Sequence, residues 1–301
     1  MQNHYSHINY RNLYSVCQKY NHVSLSAHKM HTAKTLGSRT SRLFSGVHDT
    51  GKTVFNLDAA SSLMGVTRSQ AASLLYAAAK RGLVTPVKRG LYNLVPFELG
   101  SATFHLEDRY VLVRESLGDR PYFFSHASAL DIHQLATQPN FDVYATSPVR
   151  RKNMNIGGSM THTVWVPPGR FFGQQSVKVG NVTLSVSDVE RTLVDAVSIP
   201  NYCSGFIEVA KAFFMAKAKV DSAKLVAYAL DYGKWSVARR AGYLLECFGM
   251  APQSVLDGLA GSLPAGYSKL DPDLPKKGAS SAKWGLILNV SREEIANAVS
   301  H

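Results

Sequence analysis

Residues Thr53–Val95 read TVFNLDAASSLMGVTRSQAASLLYAAAKRGLVTPVKRGLYNLV, and the punctuation of this stretch decides how the chain is read. Leu57, Ala60, Leu63 and Met64 recur at helical spacing until Gly65 interrupts them. Val66 leads into Thr67, a good N-cap for a second helix with Ala71, Leu74, Leu75 and Ala78 on one face. Lys80, Arg81 and Gly82 close that helix, with cations at its negative end and a glycine at C′. Leu83 and Val84 then alternate into Thr85-Pro86, and Val87–Val95 returns around Gly90 as strand, turn and strand. Two short helices across a tight turn, followed by a hairpin, predict a winged helix-turn-helix. Such a module sets the N-terminal residues of its second helix at base edges in the major groove. The candidate DNA contacts are therefore Thr67, Arg68, Ser69, Gln70 and Ser73, with Lys80 at the helix end and Lys88, Arg89 and Tyr92 on the wing.

Similar modules also serve protein interaction, and charge favours DNA. The 301-residue chain has a formal net charge of +12. Residues 1–100 hold 12 Lys/Arg against 3 Asp/Glu, a net of +9, which leaves 21 against 18, a net of +3, for residues 101–301. A local excess of this kind attracts polyanions by neutralising phosphates and releasing counterions. The length suits two domains and a hydrophobic content of 45% supports real cores. Cys17, Cys203 and Cys247 are an odd set without a C-x-x-C pair, which argues against a disulfide framework or a cysteine-rich zinc site. No apolar run approaches the roughly 18 residues of a membrane span, and no signal-peptide core is present. The expectation is a cytoplasmic protein with no membrane partner.

Residues 1–36 interleave His4, His7, His22, His28 and His31 with Tyr5, Tyr10, Tyr14 and Tyr20, and read as a flexible tail in which Met30 is an alternative start. A first helix is expected from Ser38, through Ser41–Phe44, to near Gly46. Gly46–Thr53 then spells GVHDTGKT, a literal match to the phosphate-loop pattern G-x-x-x-x-G-K-[ST]. That motif needs a buried strand before it and a helix after it. Here a polar, arginine-bearing segment precedes and strand-like Thr53-Val54-Phe55 follows, so a polar loop is expected.

Pro96–Ser101 reads as a linker between residues 37–96 and 97–301. Beyond it, Asp108–Leu117 is a helix, and Tyr122–Phe124 runs into a second helix capped by Ser125 and continuing to about Leu135. His126 and His133 on that helix are read as packing or hydrogen-bonding residues, since two histidines alone do not make a metal site. Phe141–Ala145, Thr161–Val166, Ser176–Val179 and Val182–Val186 predict a small, mostly antiparallel sheet. Arg150, Arg151 and Lys152 form the densest basic cluster, either a solvated loop or a second contact to DNA or to an acidic partner. Ser187–Asp195 contains Asp188, Glu190 and Asp195, an arrangement that acid–base or metal chemistry uses. The competing reading is a capping box of Ser187 with Glu190 and an Arg191–Asp195 pair at i, i+4. On that reading no catalytic residue, cofactor site or metal site is nominated. Ile207–Lys217, Ser222–Asp231, Ser236–Phe248 and Pro252–Leu259 are helices with Phe213, Phe214, Leu225, Leu244, Leu245 and Leu256 as core, and Trp284–Val290 is a closing strand. The expected class is α+β: the winged module, then a mixed α/β part, then a C-terminal helical part.

The succession Lys88-Arg89-Gly90-Leu91-Tyr92, Phe124-Ser125-His126-Ala127-Ser128-Ala129-Leu130, Ser187–Asp195, Gly242-Tyr243-Leu244-Leu245-Glu246, Leu270-Asp271-Pro272 and Trp284–Val290 resembles the AbiEi family, antitoxin components of type IV toxin-antitoxin (abortive infection) systems. The resemblance runs in order over about residues 38–292. It departs in the histidine-rich head and at Gln134, where a glycine is common. It implies a non-enzymatic antitoxin domain over residues 97–301 that counters a nucleotidyltransferase-like toxin without a tight complex. It also implies that the winged domain represses its own operon by binding inverted repeats in promoter DNA. The alternatives are a stand-alone winged-helix regulator without a toxin and, further off, a nucleotide- or metal-dependent enzyme.

Overall fold

The computed structural model describes residues 36–180 and 182–300; the histidine-rich head and Met30 lie outside the described residues. Helix α1 (Ser38–Asp49) is buried through Leu43 and Val47, and this second anchor one turn on carries it past the end expected near Gly46. After β1 (Val54–Asn56), Asn56 caps α2 (Leu57–Met64) by accepting from the Ala59 amide at 2.8 Å. Gly65 turns the chain at φ 64°, a left-handed backbone that side chains resist. Helix α3 (Arg68–Lys80) follows at once and ends where the Gly82 and Leu83 amides reach the Ala79 and Ala78 carbonyls, both at 3.0 Å. Strands β2 (Val84–Lys88) and β3 (Leu91–Leu94) then form a hairpin, which β1 completes as an antiparallel sheet in the order β1-β3-β2. Leu43, Phe55, Met64, Leu75 and Leu83 fill the core between these helices and strands.

The segment expected as a linker is stitched to what precedes it. Phe97–Leu99 is a 3-10 turn, and the Phe97 ring meets Phe44 at 5.4 Å. Beyond it the His105 amide donates to Thr85 Oγ1 at 3.1 Å, and the Glu107 amide to Asn93 Oδ1 at 2.6 Å. From Leu36 onward the chain forms one compact unit, in which Val54, Val87 and Leu91 share a core with α4 (Arg109–Leu117).

A six-stranded sheet follows, made of β4 (Phe123–Phe124), β5 (Val143–Ser147), β6 (Met154–Ile156), β7 (Ser159–Trp165), β8 (Gln174–Val179) and β9 (Val182–Ser187) in the order β6-β7-β5-β4-β9-β8. Three of its five pairings are antiparallel, as expected, while β5 with β7 and β4 with β9 run parallel, so the sheet is mixed. The chain leaves β5, detours through the basic loop and β6, and re-enters in the same direction as β7. Phe141, expected in a strand, lies ahead of β5 and is 72% exposed. The helix after β4, α5 (His126–Ile132), is shorter than expected.

The remaining helices are α6 (Val189–Ser198), α7 (Phe206–Ala216), α8 (Ser222–Asp231), α9 (Trp235–Cys247) and α10 (Gln253–Ser262), which enclose a core of Phe206, Phe213, Leu225, Leu244, Leu245 and Leu256. Phe214, expected in that core, is exposed. Strands β10 (Ser268–Lys269), β11 (Ala279–Ser281) and β12 (Leu286–Leu288) precede α11 (Arg292–Val299), which opens with a Ser291–Glu294 capping box. The closing strand is thus shorter than Trp284–Val290, because Trp284 is drawn under α9. A Cβ on Gly242 would lie 2.2 Å from its ring. With eleven α-helices and mixed sheets among the described residues, the architecture is α+β.

Candidate nucleic-acid interface

Helix α3 divides its residues cleanly. Ala71, Leu75 and Ala78 are buried against α1 and α2, while Arg68, Ser69, Gln70, Ser73, Tyr76, Lys80 and the capping Thr67 are exposed. Two of the nominated contacts are occupied locally. Thr67 Oγ1 accepts the Gln70 amide at 3.3 Å, and Gln70 Oε1 accepts the Thr67 amide at 3.0 Å, so both side chains close the helix start. Arg68 is paired with Asp58 of α2, both side chains about two-thirds exposed, at 64% and 66%. Ser73 donates to the Ser69 carbonyl at 3.3 Å. Residues 69, 73, 76 and 80 make one outward stripe, and Lys80 sits 4.6 Å over the ring of Tyr76. Tyr76, 63% exposed, was missed from sequence, although its spacing from Ser69 and Ser73 was there to find it.

On the hairpin two of the nominated residues make contacts within the fold. Lys88 is turned inward, its Nζ donating to the Ser116 carbonyl at 3.4 Å, and burial followed by the neighbouring Arg151 holds it below its ordinary pKa. The half-buried Tyr92 ring stacks on Phe55 at 6.0 Å instead of facing outward. Arg89 alone of the three is exposed, in the turn with Gly90. In the basic loop, Arg151 reaches the Leu117 carbonyl with Nη1 at 3.3 Å and Nη2 at 3.4 Å, Arg150 lies 3.8 Å over the Trp165 ring, and Lys152 is exposed. That loop is therefore neither wholly solvated nor wholly free to bind.

The other nominated clusters are engaged within the fold. Gly46–Asp49 belongs to α1, so only Thr50–Thr53 are loop, and β1 rather than a helix follows. Lys52 pairs with Glu115 at 3.3 Å and Thr53 donates to Glu107 at 2.7 Å, which occupies the side chains a phosphate would need. His133 Nε2 lies 2.7 Å from the Ser187 carbonyl. His126 is fully buried at φ 49°, its Nδ1 2.9 Å from Ser125 Oγ, and burial followed by Arg191 pushes its pKa down to about 3. Ser125 consequently caps no helix amide with its side chain.

No capping box forms at Ser187, and the N-cap lies one residue further on. Asp188 is the N-cap, accepting the Arg191 amide at 2.8 Å, while Ser187 Oγ is drawn to Thr192 at 2.7 Å. Glu190 accepts from the Asp221 amide and from Lys224, each at 2.9 Å. The Arg191–Asp195 pair is present at 3.0 Å with both side chains buried. Burial outweighs that partner and raises the Asp195 carboxyl to about 6. No group of three or more His, Cys, Asp or Glu poised for a metal ion occurs among the described residues, nor is any of their helices long and apolar enough to cross a membrane.

No protein-family profile and no curated protein matches the chain. A crystal structure of the RV2827C protein from Mycobacterium tuberculosis has a similar fold, with a TM-score of 0.69 and 13% identity over 89% of this chain and 96% of that one. At such identity the likeness is one of fold, and a fold does not by itself specify a function.

Proposed function

We propose that residues 37–96 are a winged helix-turn-helix and that the chain is a DNA-binding antitoxin of the type IV, AbiEi-like kind. It represses its own operon at inverted repeats, and through residues 97–301 it opposes a nucleotidyltransferase-like toxin without a tight complex. The observation that carries this reading is the outward stripe Ser69, Ser73, Tyr76 and Lys80, flanked by Arg68 and by Arg89 in the hairpin turn. Such a polar, basic, rigid helix face fits a major groove, and an arginine there makes the commonest specific contact to guanine. The Arg68–Asp58 pair does not oppose this, because an exposed pair is worth about 0–1 kcal/mol and exchanges readily for a base. With Lys88 and Tyr92 turned inward, phosphate contact on the wing falls to Arg89.

A reporter driven by the upstream DNA tests the first job, and growth rescue from the neighbouring toxin tests the second. The wild type should repress and rescue, whereas Arg68→Ala should relieve repression and still rescue. Wild-type protein that leaves the reporter unchanged would contradict the proposal, and rescue lost together with repression would contradict the division of labour.

A further inference from the structure

The last turn of α4 exposes two consecutive carbonyls, and two separate segments end on them. Lys88 of β2 donates to Ser116 at 3.4 Å, and Arg151 of the basic loop donates to Leu117 at 3.3 and 3.4 Å. Unpaired carbonyls at a helix C-terminus carry its negative pole, which holds cations there. The backbones are tied as well, by the Gly157 amide and the Val87 carbonyl at 3.4 Å. Each anchored cation is followed in sequence by an exposed one, Arg89 after Lys88 and Lys152 after Arg151, and Arg120 is exposed just beyond the same helix end. None of Arg89, Arg120 and Lys152 makes an ion pair among the described residues. Burial first and Arg120 second hold Arg151 below its ordinary pKa, much as Arg151 acts on Lys88; of the carboxylates nearby, Glu115 is already paired with Lys52 and Arg114, and Asp119 lies in the turn.

We infer that Arg89, Arg120 and Lys152 form one phosphate track, preset by the anchored Lys88 and Arg151, which continues the α3–hairpin surface onto duplex backbone outside the bases that α3 reads. The inference rests on the DNA-binding reading above. Continuity favours DNA over an acidic protein: Arg89 belongs both to the hairpin beside α3 and to the track. A duplex also presents a regular row of phosphates to fixed cations.

The test is a salt titration of binding to upstream duplexes of two lengths, one confined to the protected core and one extended by about a helical turn, roughly 10 base pairs. The exposed pair is removed in Arg120→Ala/Lys152→Ala, with a thermal melt to verify an unchanged fold. The wild type should gain affinity on the longer duplex, and the double variant should lose that gain. Its salt slope on the longer duplex should fall by about two, so that its affinity drops roughly tenfold less than wild type between 50 and 200 mM salt. On the core duplex the two proteins should agree. A double variant that keeps both the length gain and the slope overturns the track and leaves α3 reading intact. Wild-type protein that fails to bind the upstream duplex at either length overturns the DNA reading itself, and the track with it.

Discussion

Helices α3 and α6 both open with runs of polar residues, and the fold treats them in opposite ways. On α3 the cap closes locally between Thr67 and Gln70, the single ion pair is two-thirds exposed, and the remaining polar side chains face solvent. On α6 the polar groups are drawn inward: Arg191 pairs with Asp195, donates to the Arg170 carbonyl at 2.8 Å and lies 4.4 Å over the Phe172 ring. The same residue types therefore do different work according to burial. An exposed pair costs little to exchange for a ligand, whereas a buried one leaves an uncompensated charge when broken.

The largest effect is expected at the buried end. Arg191→Met strands Asp195 inside the core and should cost about 3–5 kcal/mol of stability in a urea melt; a loss below about 1 kcal/mol would mean that the pair is not structural. On α3 the expected effect is smaller and falls on binding. Arg68→Ala should weaken operator binding by about 1–3 kcal/mol with an unchanged melting temperature. Acidification separates two buried groups. The raised Asp195 carboxyl contributes stability that is complete below its ordinary value of 3.8 and is lost as pH rises through about 6. His126, pushed from 6.5 to about 3, contributes stability present above 6.5 and lost as pH falls toward 3. These slopes oppose each other between pH 4 and 6, each at most about 1.4 kcal/mol per pH unit. Asp195→Asn should therefore steepen the loss of stability on acidification in that window, and His126→Gln should flatten it. The smallest effect is on the hairpin: Arg89→Ala should lower the salt slope of DNA binding by about one. Lys88→Met should lower stability and, by freeing the anchor beside Arg89, lower the slope by less than Arg89→Ala does.

Much of this was legible locally. Thr67 as N-cap, the Gly65 and Gly82 turns, the helix over Ser222–Asp231 and the Arg191–Asp195 pair all follow from spacing within one or two helical turns. Two local signals went unread. Gln70 stands three residues after Thr67, which commits it to the cap before it can read a base, and Ser291 with Glu294 marked a last helix. What spacing could not supply is long-range. The inward turn of Lys88 depends on a carbonyl 28 residues away, and that of Arg151 on one 34 residues away. The one-residue shift of the α6 cap has the same origin, since Ser187 is held by the Phe124 carbonyl at 3.3 Å as well as by Thr192. The parallel pairing of β5 with β7 likewise depends on how the basic loop and β6 fold back.

Reading of DNA by the outward face of α3 is tested by competition between upstream and scrambled duplexes, followed by fluorescence anisotropy at fixed, near-physiological salt. Wild-type protein should prefer the upstream duplex by about a thousandfold or more. Tyr76→Ala combined with Arg68→Ala should bring that ratio down by at least tenfold while binding to scrambled DNA changes little. Equal affinity of the wild type for both duplexes, or a double variant that discriminates as well as wild type, would contradict the account.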